Sequence, residues 1–154
     1  MKSEGKPILL VEDDQNDVFF LKYAFESAGI GNPVHVVSDG QDAIHYLAGN
    51  ANYADRHRFP LPCLVLLDLN LPGKMGNDVL RWMRKQLHLS NLVVVVLTSS
   101  SDSRDVDGAY ESGAQSYLVK PRSLEKRLEM AKAIKKYWLD LNEFPSIGRS
   151  AAAP

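Results

Sequence analysis

The fold of this chain is decided by the stretch Leu64-Val65-Leu66-Leu67-Asp68-Leu69-Asn70-Leu71-Pro72-Gly73-Lys74-Met75-Gly76. It begins with an uninterrupted aliphatic run, which predicts a strand buried on both faces, as in a parallel sheet. The turn-forming residues Pro72 and Gly73 place Asp68 at the carboxyl end of that strand. Ligands bind at this edge of an open parallel sheet. Asp68 is therefore a candidate functional residue, and the alternative is that it only caps the following turn.

Length and composition bound the class of protein. The chain has 154 residues, of which 45% are hydrophobic and 24% charged, as expected for one globular domain. The formal net charge of -1 gives no global field that would attract nucleic acid or an anionic membrane. A single cysteine, Cys63, excludes an internal disulfide. No signal-peptide pattern and no apolar segment of membrane-spanning length is present, so we expect a cytoplasmic protein without a membrane partner.

Four further apolar runs repeat the pattern of the first one. They are residues 7–11, 33–37, 92–97 and 116–119. Helical periodicity follows each strand, which predicts an α/β fold with a doubly wound, five-stranded parallel sheet and helices on both faces. The last helix is predicted to be extended, with an apolar stripe of Leu124, Leu128, Ala131, Ile134, Trp138 and Leu141. We expect one domain over residues 1–145, including this extension, and a disordered tail over 146–154.

Polar residues stand just past the strongest of these strands. They are Glu12, Asp13 and Asp14 after the first strand, Asp68 after the third, Thr98 after the fourth and Lys120 after the fifth. Parallel strands end at one edge, so we expect these side chains to converge there. Clustered carboxylates favour a hard cation such as Mg²⁺, and a carboxylate can attack phosphorus while lysine and hydroxyl donors neutralise the phosphoryl oxygens. This edge therefore has the chemistry of a phosphorylatable aspartate.

Over roughly residues 6–138, these pieces together resemble the receiver domain of two-component response regulators. The matching segments are residues 8–14, 68–72 with Gly76, 97–99 and 117–121. The resemblance implies the flavodoxin-like strand order 2-1-3-4-5, which puts Asp13 and Asp68 on either side of the point where the order reverses. It also implies a stand-alone regulator that receives a phosphoryl group from a sensor histidine kinase or a phosphotransfer protein. Its output would be protein contact or phosphorelay.

The resemblance assigns the chemical roles at this edge. It implies that Asp68 is the phosphoacceptor, that Thr98 is the switch hydroxyl and that Lys120 binds the phosphate. The implied Mg²⁺ ligands are Asp13 directly, Glu12 through water, Asp68, and the backbone carbonyl of Asn70. The protein would then be no enzyme, apart from Mg²⁺-dependent phosphorylation and dephosphorylation of its own Asp68.

Further positions match the family with an alternative left open. Tyr117 matches the aromatic switch residue, and the alternative is a buried strand aromatic. Asn70 and Ser100 occupy the positions that flank the attacking water in the family, so we expect them to tune the lifetime of the phosphoryl group. Asp14 is expected to be a helix N-cap rather than a third metal ligand.

Large apolar residues continue beyond the usual end of a receiver, and they must pack on their own domain or on a partner. The Tyr-Trp-Leu sequence ending at Leu139 and the long loop over residues 49–62 resemble small regulators that partner bacterial phytochromes. This resemblance implies a phytochrome-type kinase and a homodimer through the fourth helix, last strand and fifth helix. The implied dimer or partner surface comprises Tyr117, Trp138, Leu141 and Phe144. Glu125 and Glu129 interrupt the basic residues of the last helix, which argues against nucleic acid.

Other functions use part of the same pattern. An aspartate-nucleophile phosphohydrolase needs a second acid two residues after its nucleophile, and this chain has Asn70 there. A receiver-like module that binds without phosphorylation would not need Asp68, Thr98 and Lys120, which are all present. A transcription factor would need a DNA-binding module, which the sequence pattern does not show.

Overall fold

A computed structural model describes residues 5–147 of the chain. Strands and α-helices alternate along it, as the sequence predicts. In chain order they are β1 (Ile8–Val11), α1 (Gln15–Ser27), β2 (Val34–Val37), α2 (Gly40–Ala48), β3 (Leu64–Leu67), α3 (Gly76–Lys85), β4 (Val93–Thr98), α4 (Ser103–Glu111), β5 (Ser116–Val119) and α5 (Leu124–Ile134). A π-helical segment, Lys135–Leu141, continues α5. None of the helices in the described range is long and apolar enough to cross a membrane.

The strands form one parallel sheet in the order β2-β1-β3-β4-β5, which confirms the predicted fold class and strand order. Val11 at the end of β1 is in register with Leu67 at the end of β3, and Leu67 is in register with Val96 of β4. The carboxyl ends of these central strands are therefore nearly level. As a result, the residues that follow the strands are brought to one edge.

Helices cover both faces of the sheet, and this explains the unbroken apolar runs of β1 and β3. Successive residues of a strand point to opposite faces, so Leu9 and Val11 pack on one side while Ile8 and Leu10 pack on the other. The first side carries buried residues of α2 and α3, and the second carries buried residues of α1 and α5. Because helices cover both faces of the sheet, every residue of β1 and β3 is buried.

The π-helical segment changes which residues of the C-terminal helix face the core. The predicted stripe is wrong here: Leu141 is 63% exposed and Trp138 is half-buried, whereas Leu139 is buried. A π-helix bonds each residue to the fifth one along, so its turns are wider than those of an α-helix. Leu139 lies inside this segment, five positions after Ile134, and both residues are buried.

The ordered packing of the chain extends past the predicted domain end at residue 145. Phe144 packs in the core on the α1 and α5 side, and Ile147 packs against the core on the α2 and α3 side. Residues 148–154 of the predicted tail lie outside the described residues. At the other end of the stripe, Leu124 is 46% exposed, so the stripe prediction also fails there.

Candidate functional site

Strand β3 delivers Asp68 to the carboxyl edge of the sheet. The Asp68 amide donates to the Val11 carbonyl of β1 over 3.1 Å, so the residue is still held as part of the sheet. The residue is only 6% exposed. Gly76 packs directly behind it, and any Cβ at this position would collide with the Asp68 carbonyl oxygen. The turn that follows β3 therefore fixes the acid in place.

Both carboxylate oxygens of Asp68 accept a hydrogen bond from a predicted site residue. Thr98 at the end of β4 is fully buried, and its Oγ1 donates to Asp68 Oδ1 over 2.9 Å. Lys120 follows β5, and its Nζ donates to Asp68 Oδ2 over 2.9 Å. The structure thus brings together the three residues that were predicted from three separate strand ends.

Three carboxylates form an acidic pocket beside these donors. Glu12, Asp13 and Asp68 each offer an oxygen, and these oxygens lie within 4.8 Å of one another. Glu12 is 3% exposed, whereas Asp13 is open to solvent. Convergent hard oxygen ligands with one solvent-facing side suit a divalent cation that keeps part of its water shell. The pocket therefore fits the metal site that the sequence predicts.

Asp14 does not take part in this pocket. Its side chain accepts hydrogen bonds from the backbone amides of Asn16 and Asp17 at the start of α1, over 2.9 Å and 3.1 Å. This is the geometry of a helix N-cap. The predicted N-cap role of Asp14 is confirmed.

Burial and neighbouring charges shift the pKa values of the ionisable groups in the site. Burial raises the pKa of Glu12 to about 7, against the opposing hydrogen bonds from Lys120 and the Asp14 amide. Burial also disfavours the charged form of Asp68, but the hydrogen bond and charge of Lys120 outweigh it and hold the Asp68 pKa below its ordinary value. Burial opposes the charge of Lys120, and hydrogen bonds to its carboxylate partners raise the Lys120 pKa above its ordinary value. At neutral pH, Asp68 is therefore an anion beside an ammonium group.

Two further residues belong to the site and were not anticipated. Lys120 Nζ also donates to Asp17 Oδ2 over 3.0 Å, and Asp17 Oδ1 accepts from Arg127 Nη2 over 3.3 Å. An acid in the first turn of a helix and an arginine on a later helix are ordinary surface features in a sequence. Only the packing of α1 against α5 brings these two together across 110 positions.

Tyr117 joins β5 to the loop that follows β4. Its hydroxyl donates to the Ser100 carbonyl over 2.9 Å, and its half-buried ring packs against the core on the α2 and α3 side. The Ser100 hydroxyl donates to an Asp105 carboxylate oxygen on α4. Asn70, the other predicted lifetime residue, has an exposed side chain, and its backbone amide donates to Asp68 Oδ1 over 3.2 Å.

The residues of the predicted partner surface differ in how exposed they are. Tyr117 and Trp138 are half-buried, and Leu141 is exposed. Phe144 is 8% exposed and lies in the chain's own core, so it is not available to a partner chain in this structure. The prediction that Phe144 belongs to this surface needs correction, because its ring is buried against the chain's own core.

A fold of this order, with an acidic pocket, a hydroxyl and a lysine around one aspartate, defines a class of phosphoryl-accepting signalling domains. The family model described as the response regulator receiver domain matches residues 8–132. The chain therefore belongs to the response regulator receiver domain family. Members of this family accept phosphate from histidine kinases in two-component signalling, and they bind a divalent metal at an acidic pocket.

Similar proteins cover nearly the whole chain. Response regulator Rcp1 from Synechocystis sp. (strain PCC 6803) is 34% identical over 149 residues, which are 95% of this chain and 99% of Rcp1. A crystal structure of the Mn²⁺-bound form of Rcp1 has a TM-score of 0.81 at 35% identity and covers 91% of this chain and 99% of that one. The phosphorylated cyanobacterial phytochrome response regulator RcpA has a TM-score of 0.84 at 33% identity, covering 92% and 99%. RPA3017, a response regulator in red light signalling of R. palustris, has a TM-score of 0.87 at 33% identity, covering 91% and 98%.

Proposed function

We propose that Asp68 accepts a phosphoryl group from a sensor histidine kinase or phosphotransfer protein, and that Mg²⁺ is the metal of the adjacent acidic pocket. The observation that carries this proposal is the pair of donors on Asp68, Thr98 Oγ1 and Lys120 Nζ, each 2.9 Å from a different carboxylate oxygen. Phosphoryl transfer is assisted mainly by positioning and by neutralising charge on the transferred oxygens. A hydroxyl and an ammonium already aimed at the acceptor supply both.

The proposed transfer moves the phosphoryl group from a phosphohistidine to Asp68. An O–P bond forms to Asp68 while the N–P bond of a phosphohistidine breaks, and the electron pair stays on the imidazole nitrogen, which takes a proton from solvent. Thr98 and Lys120 donate to the phosphoryl oxygens as the charge on them grows. In the later dephosphorylation step, water attacks phosphorus, the bond to Asp68 breaks, and inorganic phosphate leaves while Asp68 returns to a free carboxylate. We place Asn70 and Ser100 beside this attacking water, where they tune its access.

The pocket residues Glu12, Asp13 and Asp68, with the Asn70 carbonyl, are the proposed ligands. When bound, Mg²⁺ supplies positive charge to the pocket and to the phosphoryl oxygens. Of the three carboxylates, Asp13 is the one open to solvent, so it is the proposed direct ligand. Glu12 is buried and one of its oxygens is already bonded to Lys120, and we assign it the contact through water.

The proposed output is a change in the face formed by α4, β5 and α5. Thr98 and Tyr117 stand on neighbouring strands, and the hydroxyl of Tyr117 already holds the loop after β4. A phosphoryl group that draws Thr98 towards itself would shift the population of loop conformers. We assign a homodimer contact to this face, with Tyr117, Trp138 and Leu141, and a phytochrome-type kinase upstream. The likeness to RcpA and RPA3017 supports the kinase assignment.

Intact-mass measurement after incubation with acetyl phosphate and Mg²⁺ tests the proposal. The expected result is a gain of one phosphoryl group, which is absent in Asp68→Asn and in wild type with EDTA. Equal gain in Asp68→Asn would overturn the assignment of the acceptor. If no mass gain accumulates, rapid consumption of acetyl phosphate by the wild type would favour the phosphohydrolase alternative, and unconsumed acetyl phosphate would favour a phosphorylation-independent binding module.

A further inference from the structure

Carboxylates occupy all three hydrogen-bond donors of the Lys120 ammonium group. Its ammonium group has three protons, and it contacts Glu12 Oε2 at 2.6 Å, Asp68 Oδ2 at 2.9 Å and Asp17 Oδ2 at 3.0 Å. The Lys120 side chain is 12% exposed, so water does little to satisfy it. Glu12 and Asp68 are expected partners at this edge of the sheet. Asp17 is additional, because it comes from the first turn of α1.

Asp17 is itself held from two sides. Its backbone amide donates to the Asp14 side chain, which caps α1. Its second carboxylate oxygen accepts from Arg127 of α5, and Arg127 Nε donates to the carbonyl of Pro121 over 2.9 Å. Pro121 follows Lys120 in the chain. The contacts therefore form a closed ring that runs from Lys120 through Asp17 and Arg127 back to the residue beside Lys120.

We propose that Asp17 is a positioning residue that keeps the Lys120 ammonium group in place while Asp68 gains and loses its phosphoryl group; this inference rests on the proposed function. Once an Asp68 oxygen is bonded to phosphorus it becomes a weaker acceptor, and the charged phosphoryl oxygens become the stronger ones. One Lys120 donor then moves from Asp68 to a phosphoryl oxygen. The other two donors stay on Glu12 and Asp17, so the ammonium group does not have to reorganise during the transfer.

Arg127 gives this arrangement a second consequence. Because Arg127 holds Asp17 from α5, the position of Lys120 depends on the packing of α1 against α5. The guanidinium of Arg127 also lies over the ring of Phe20, 5.1 Å from its centroid, which restrains it further. The contacts that hold Lys120 therefore extend through Asp17 and Arg127 to α5, which lies outside the acidic pocket.

The test compares Asp17→Asn with Asp17→Glu and with Asp78→Asn. Asp78 is a matched control, since it is also an acid in the first turn of a helix, and it pairs with the exposed Arg81 rather than with Lys120. With acetyl phosphate and Mg²⁺, we expect the initial rate of phosphorylation to fall about tenfold in Asp17→Asn. It should recover in part in Asp17→Glu, which keeps the charge, and stay at the wild-type value in Asp78→Asn.

A double-mutant cycle with Lys120→Ala separates positioning from a general structural role. If Asp17 acts through Lys120, Asp17→Asn has no further effect on the rate in the Lys120→Ala background. An equal fold-change in both backgrounds, or an unchanged or faster rate in Asp17→Asn alone, would overturn the inference. If Asp17→Asn fails to fold, Arg127→Gln replaces it, because this variant removes the ion pair that Arg127 makes with Asp17. Arg127→Gln is expected to slow phosphorylation, and a wild-type rate in this variant would also overturn the inference. Absence of phosphorylation in the wild type itself would reject the proposed function, and this inference with it.

Discussion

The hydroxyl of Tyr117 donates a hydrogen bond to the carbonyl oxygen of Ser100 over 2.9 Å. This contact joins β5 to the loop between β4 and α4, across 17 positions of the chain. Ser100 is two residues from Thr98, which contacts the proposed acceptor Asp68. The bond therefore connects the proposed phosphorylation site to the α4, β5 and α5 face.

Tyr117→Phe is expected to loosen this loop without affecting phosphorylation. It removes one neutral hydrogen bond, worth about 1 kcal/mol, so amide hydrogen exchange in residues 99–105 should accelerate about fivefold. Tyr110→Phe, on an exposed position of α4, is the matched control and should leave the exchange unchanged. Identical exchange in Tyr117→Phe and wild type would show that the bond does not hold the loop.

The free energy of unfolding of the metal-free protein is expected to fall as the pH rises from about 5 to about 8. Burial raises the pKa of Glu12 from 4.5 to about 7, so the folded state binds a proton that the unfolded chain has already lost in this range. The expected loss is about 2 kcal/mol. The lowered pKa of Asp68 acts in a different window, because its contribution is lost only as the pH falls below its ordinary value of 3.8.

Urea unfolding in EDTA measures this dependence. Glu12→Gln should remove the decline, whereas Glu26→Gln, at an exposed position of α1, should retain it. Burial lowers the pKa of His35, which acts in the opposite direction over this range, so the comparison of the two variants is decisive. The same pH dependence in Glu12→Gln and in the wild type would contradict the predicted protonation of Glu12.

Mg²⁺ is expected to raise the thermal unfolding midpoint of the wild type, because a ligand that binds only the folded state stabilises it by mass action. Asp13→Asn should lose most of this increase, since it removes the solvent-facing carboxylate of the pocket. Asp14→Asn is the neighbouring control: asparagine also caps helices, and Asp14 lies outside the cluster. Equal responses to Mg²⁺ in the two variants would place the metal elsewhere.

Phe144→Ala should lower the stability of the fold, whereas Leu141→Ala should weaken self-association. Phe144 is 8% exposed, so its truncation leaves a cavity and is expected to lower the free energy of unfolding by about 3 kcal/mol. Leu141 is 63% exposed, and its truncation should change stability by less than about 0.5 kcal/mol. Leu141→Ala should instead weaken self-association in sedimentation experiments. A dimer that is unchanged by Leu141→Ala would remove this residue from the proposed interface.

The strands and the residues that follow them were predictable for a physical reason. A strand covered by helices on both faces must be apolar throughout, so the first polar residue marks its end. Asp68 after β3 and Glu12 after β1 are recognisable in this way, whereas β5 is an only partly buried edge strand and Lys120 was recognised from its place after an apolar run. Parallel pairing then brings the strand ends together without further information about the side chains.

Contacts that depend on helix packing were not predictable in the same way. The contact between Asp17 and Arg127 depends on how α1 lies against α5, and neither residue stands out in its own segment. The burial of Leu139 depends on a change from α-helical to π-helical hydrogen bonding, for example the bond from the Asn142 backbone amide to the Tyr137 carbonyl over 2.7 Å, and Phe144 is buried from the irregular segment beyond Leu141. Apolar periodicity assumes a regular helix, so it placed the stripe on the wrong residues.

Reductive mapping of the phosphorylated residue tests the central claim, that Asp68 carries the phosphoryl group, most directly. Borohydride converts an aspartyl phosphate to homoserine, and trypsin releases residues 59–74 as a peptide whose single acidic side chain is Asp68. After incubation with acetyl phosphate and Mg²⁺, we predict homoserine at position 68, with none in EDTA. Homoserine at Asp13 instead, or none at position 68 in protein that has gained the mass of a phosphoryl group, would contradict the claim.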